Sequence, residues 1–180
     1  MELWDKARDN WTQSSAHAQL IAAFNEAPVS DTTNKVVGFG LGTLEYDNEK
    51  STISHEDGLP AYGPITQHLA AHDVAVLLGD KLGLKQALPV IVQDPGYSEV
   101  SKRLLAEKGI EVLGGIGSLG FTFVDDNSVV FAFAPNIPVK QVIADIARPA
   151  AMVWDRVTDS SEDTDEIKVE VINGRECKVM

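Results

Sequence analysis

The rhythm of hydrophobic and polar positions changes along the chain. In residues 2–27, Trp4, Ala7 and Trp11 recur on one helical face, and Leu20, Ile21 and Phe24 share a face further on. Ser14 or Ser15 is placed to cap a second helix within this stretch. The segment APVSDTTN (27–34) is rich in turn formers and reads as a linker. From there to residue 155, short apolar runs alternate with helical patterns. The runs are KVVGFGL (35–41), LPVIVQDP (88–95), IEVLG (110–114), SVVFAFAP (128–135) and AAMVWD (150–155). Helices are predicted over 64–84, with Pro64 in the first turn, over 98–109, with Ser98 as N-cap and Gly109 as the stop, and over 138–147. Residues 43–63 are polar, irregular and too long for an ordinary connection, whereas GIGSLGFTFVDDN (115–127) is glycine-rich with room for a small hairpin. IKVEVING (167–174) alternates like an edge strand or a hairpin arm.

Runs that are continuously apolar are buried on both faces, the mark of a parallel sheet. Strands alternating with helices predict a three-layer α/β Rossmann-like domain, mostly parallel, with strand order 3-2-1-4-5 and the VVGFGL strand central. The expected organisation is a helical arm (1–30), the Rossmann-like domain (31–155) and an acidic tail (156–180).

Composition narrows the function classes. The 180 residues are 44% hydrophobic, enough for one sizeable core, and carry a net charge of −12. That balance argues against a nucleic-acid or anionic-membrane surface, which needs clustered Lys and Arg. Residues 155–166 hold six carboxylates and one arginine, a pattern of a solvated, mobile segment or of one that docks a basic partner. The lone Cys177 leaves no intramolecular disulfide. The charged N-terminus is not a signal peptide, and no window reaches a membrane span. An intracellular protein, cytoplasmic or also nuclear, is expected. Its oligomeric state stays open, a dimer included.

The candidate chemistry centres on Gly38, Gly40 and Gly42. The G-x-G-x-G spacing puts Thr43 where a dinucleotide fingerprint has its third glycine, and the loop does not open a helix directly, so a phosphate cradle is disfavoured. The same spacing is that of S-adenosylmethionine-dependent methyltransferases, where a carboxylate ending the second strand takes the ribose hydroxyls. Asp94 stands at that place. Glycines after a strand also serve positive φ and close packing alone. His68 and His72 share a helical face, yet a zinc site needs further ligands, and surface or core roles are the commoner use. Ser118 lies outside a nucleophile-elbow motif, and Asp125 and Asp126 read as a turn.

Taken in order, the glycine strand VVGFGLGTLE, the helix with Gln67 in ITQHLAAH, the strand VIVQDPGYSEV, LLAEKG, IEVLG and VVFAFAPNIP resemble the Sensitivity-to-Red-light-Reduced-like (SRR-like) domain, over about residues 35–154. The most telling piece is Asp94, Pro95, Tyr97 and Glu99 ahead of Leu104, Leu105 and Gly109. Family members commonly carry Pro-His-Cys after the fourth strand and a glutamate between strands three and four. Here Pro135, Asn136 and Ile137 stand in the first place, and GGIGSLG has no carboxylate. The resemblance implies the Rossmann-like fold and a regulatory or adaptor role (light and clock signalling in plants, haem metabolism and cytoskeletal functions elsewhere), with an unknown small molecule or protein as partner.

A ligand of such a fold sits outside the carboxyl ends of the strands. That crevice is expected to collect Gly38, Gly40, Gly42, Thr43 and Glu45, then Asp94 and Tyr97, then Pro135 and Asn136, with Gln67 and His68 pointing in from the following helix. For the alternative, an enzyme on this scaffold, Glu45, His68 and Asp94 are the acid/base candidates. No metal is expected.

Overall fold

The computed structural model describes residues 2–44, 63–114, 117–133, 135–154, 168–172 and 175–179. The expected Glu45 and the acidic run 156–166 lie outside the described residues.

Five parallel strands, β1 (Lys35–Phe39), β2 (Val90–Gln93), β3 (Ile110–Val112), β4 (Ser128–Ala132) and β5 (Ala151–Trp154), form one sheet in the order 3-2-1-4-5. β1 lies at its centre, with Val36 opposite Val90 on one side and Val129 on the other. Every residue of β2 and β4 is buried, as continuously apolar runs require.

Alternate side chains of the central strands serve two cores. Val36, Val90, Val92 and Phe131 pack with α3 (Gly63–Lys81) and α4 (Glu99–Glu107), whereas Val37, Phe39 and Val130 pack with α5 (Val139–Ile146). Right-handed crossovers demand this division, because the chain moves outward in one direction from β1 to β3 and in the other from β4 to β5.

The arm comprises α1 (Glu2–Thr12) and α2 (Ser15–Glu26), separated where Ser14 caps α2 by accepting the His17 N–H at 3.1 Å. Both helices pack on α3, burying Trp4, Ala7 and Trp11. A tryptophan burying about 200 Å² at about 25 cal/mol per Å² contributes about 5 kcal/mol before entropy is counted. α3 therefore lies between arm and sheet, which is why its apolar residues surround it instead of forming a stripe.

Polar contacts fix the arm at two points. Asp73 of α3 accepts Trp11 Nε1–H at 2.8 Å and an Arg8 guanidinium N–H at 3.2 Å. Burial tends to raise the Asp73 carboxyl, but the adjoining His72, Trp11 and Arg8 outweigh it and hold the group below its ordinary value. At the far end, Lys81 Nζ donates to the carbonyls of Phe24 (2.7 Å) and Asn25 (3.1 Å), which end α2.

Two local expectations are corrected, and a third, open between two forms, is decided. α3 stops at Lys81, short of Leu84, because Gly83 at φ +69° turns the chain and the Leu84 N–H closes on Gly79 O at 2.9 Å. In the glycine-rich connection, Leu119–Phe123 forms a 3-10 turn in place of a hairpin. At the C-terminal end, β6 (Lys168–Ile172) pairs antiparallel with β7 (Arg175–Val179), so the hairpin arm is realised and the edge strand of the main sheet is not. Among the described residues no helix is long and apolar enough to cross a membrane.

Candidate functional site

The sheet order reverses beside β1, which leaves a crevice at the carboxyl ends of β1, β2 and β4. A cleft of about 320 Å³ lies there. Gly40 and Gly42 form one wall, and Gln93, Asp94 and Pro95 another. Pro135, Asn136, Ile137 and Val139 close the third side, with Phe39 and Gly117 also in contact.

The Asp94 turn is built locally. Pro95 cannot continue the ladder, and Asp94 takes the Gly96 N–H on Oδ1 at 2.8 Å, folding the chain back from β2. Its other oxygen, Oδ2, accepts the Gly42 N–H at 2.8 Å and so ties the β2 turn to the glycine loop. The Gly40 N–H goes to Gln93 O at 3.2 Å.

The glycines are required by the chain's own packing. Gly40 (φ +65°) and Gly42 (φ +80°) have left-handed backbones. A Cβ on Gly40 would meet Pro135 Cα at 3.0 Å, and one on Gly42 would meet Pro64 Cγ at 3.0 Å. At both positions the space a side chain would take is filled by the chain itself. Gly38 lies within β1, where a Cβ would meet Leu41 Cδ1 at 2.7 Å; it is a core position beneath the loop.

His68 and Tyr97 are brought together, but inside the core. His68 is fully buried and Tyr97 nearly so. Because a carbonyl only accepts, the 2.6 Å contact between His68 Nδ1 and Pro64 O places the proton on Nδ1. Nε2 is then bare and accepts the Tyr97 hydroxyl proton at 2.7 Å. Burial lowers the His68 pKa to about 4, against the opposing pull of the Pro64 carbonyl and of the Asp94 charge. Burial and then the Asp94 charge push the Tyr97 hydroxyl far above its ordinary value. The pair is a neutral strut between the start of α3 and the turn after β2.

Of the expected residues, Gly40, Gly42, Asp94, Pro135 and Asn136 line the cleft. Thr43 instead shares a hydrogen bond with Ser101, their hydroxyl oxygens 3.1 Å apart, and Ser101 Oγ also accepts the Leu44 N–H at 3.1 Å. Gln67 is half-buried and does not line the cleft. No family model, no curated protein and no solved structure matches the chain.

Gln93 escaped the sequence reading. It is buried, and its Oε1 accepts the Gly120 N–H at 2.7 Å, docking the 3-10 turn beside the cleft. A Cβ on Gly120 would land 2.7 Å from the Phe39 ring, so glycine is needed for that approach. The available signal was a polar residue ending the otherwise apolar run PVIVQ. Phe121 completes this side by stacking on Phe39, with ring centroids 4.6 Å apart.

Proposed function

We propose that the chain is a regulatory or adaptor protein on an SRR-like scaffold, and that it binds a small molecule in the cleft at the carboxyl ends of β1, β2 and β4. The observation that carries this reading is the make-up of the cleft. Among the described residues its walls hold a single ionisable side chain, Asp94, and both oxygens of that carboxylate already accept backbone N–H groups. Such a group positions a loop and receives a ligand's donor on its remaining lone pairs, which suits binding better than proton transfer. The order of elements from β1 to β5 also accords with the motif order that suggested the family.

The alternative, an enzyme resembling S-adenosylmethionine-dependent methyltransferases, has less support. His68, one of its three acid/base candidates, is sealed in the core, and both oxygens of a second, Asp94, are engaged by backbone N–H groups.

The test is a fragment screen on the 15N-labelled full chain. Binding fragments should converge on the amides of Gly40, Gly42, Asn136 and Ile137. Hits scattered elsewhere, or none, would sink the proposal. S-adenosylmethionine is run beside the fragments: if it moves those amides and raises Tm, the methyltransferase-like alternative takes precedence.

A further inference from the structure

We infer that the cleft selects by charge, taking uncharged or cationic ligands and discriminating against phosphorylated and carboxylated ones. This rests on the reading of the cleft as a small-molecule site.

Crevices at this place in a Rossmann-like sheet commonly receive phosphate, because the N–H groups of a glycine loop and of the following helix point at it. Here two N–H groups of the glycine loop are already committed. Gly40 N–H is closed on Gln93 O at 3.2 Å, and Gly42 N–H on Asp94 Oδ2 at 2.8 Å. Across the cleft, Val139 N–H, the first of α5, is closed on Ile137 O at 2.7 Å. A phosphate taken up by the Gly42 N–H would have to break a bond made to a carboxylate, and the bared carboxylate would then repel it.

The charges in the walls point the same way. Asp94 is the one charged side chain lining the cleft among the described residues. The nearby cation of α5, Lys140, lies over the Trp154 ring at 4.7 Å, on the β5 side. The net charge of −12 adds a long-range field that raises the local concentration of cations and lowers that of anions. Half-buried, Asp94 retains lone pairs that an amine or a hydroxyl can fill without displacing the Gly42 and Gly96 amides.

The experiment uses benzylamine, benzyl alcohol and benzoate, which share one ring and differ in charge, titrated into the 15N-labelled full chain. Benzylamine and benzyl alcohol should move the Gly40, Gly42, Asn136 and Ile137 amides. Benzoate should bind about tenfold or more weaker than benzylamine, the consequence of reversing a unit charge close to a carboxylate. The gap should narrow between about 20 mM and about 500 mM salt. It should narrow as well in Ile137→Lys, a change at a rim residue that is 51% exposed and therefore compatible with folding. Benzoate binding as tightly as benzylamine would overturn charge selection while leaving the cleft as a site. A gap that neither salt nor Ile137→Lys alters would also overturn it, since the discrimination would not be electrostatic. If none of the three probes moves the cleft amides, the site reading itself falls, and this inference with it.

Discussion

Protonating His68 should cost the folded chain about 3 kcal/mol, and the cost should appear between about pH 6.5 and about pH 4. The imidazole is fully buried, donates from Nδ1 to Pro64 O and accepts on Nε2 from Tyr97. A proton on Nε2 would leave it facing the Tyr97 oxygen with two donors and would place a charge in the core. The folded pKa, about 4, lies below the unfolded value of 6.5. The contribution is therefore fully present above pH 6.5, is lost as the pH falls through that window, and is constant below it. The separation from 6.5 to about 4, at about 1.36 kcal/mol per pH unit, sets the full size at about 3 kcal/mol. By about pH 4.5 most of it is gone.

The assay is urea unfolding of wild type and His68→Gln at about pH 7 and about pH 4.5. Other titrating groups change alike in both chains and cancel in the comparison. The variant should be less stable at the higher pH, since glutamine does not reproduce both ring contacts, and should lose about 2–3 kcal/mol less on acidification. Equal losses in the two chains, to within about 0.5 kcal/mol, would refute the reasoning, because His68 would then titrate as it does in the unfolded chain.

Two further outcomes follow from the glycine loop. Gly40→Ala should destabilise by about 1–3 kcal/mol in urea unfolding, and by more than Gly83→Ala. Both positions have φ above +60°, but a Cβ at Gly40 meets Pro135 at 3.0 Å and one at Gly83 meets nothing within 4 Å, so equal costs would disprove the role of packing. Asp94→Asn should lower stability by about 1–3 kcal/mol, because an amide has one acceptor oxygen for two N–H groups. Stability unchanged within about 0.5 kcal/mol would show that one of those bonds contributes nothing.

Sequence by itself determined the sheet, because burial on both faces forces continuous apolar runs, and those runs ordered with their helices allow few topologies. The N-cap Ser98 was legible for a local reason, a small hydroxyl ahead of a helical pattern, and the other cap was legible as Ser14 or Ser15, of which the structure uses Ser14. At the candidate site the sequence located the right crevice but not the use of each residue. Asp94 had to lie at the switch point, since it ends β2, yet only the tertiary structure decided that its oxygens bind Gly42 and Gly96. Residues 52 apart in the chain make the first of these bonds, and no local pattern encodes such a contact. His68 shows the limit most clearly. Its helical position was readable, but which way it faced depended on the arm and sheet packing around α3, and that packing turned it inward to Tyr97. The glycine motif was ambiguous for a related reason. A positive φ is a local property, whereas what fills the space above the glycine, here Pro135 and Pro64, is set only when distant segments meet.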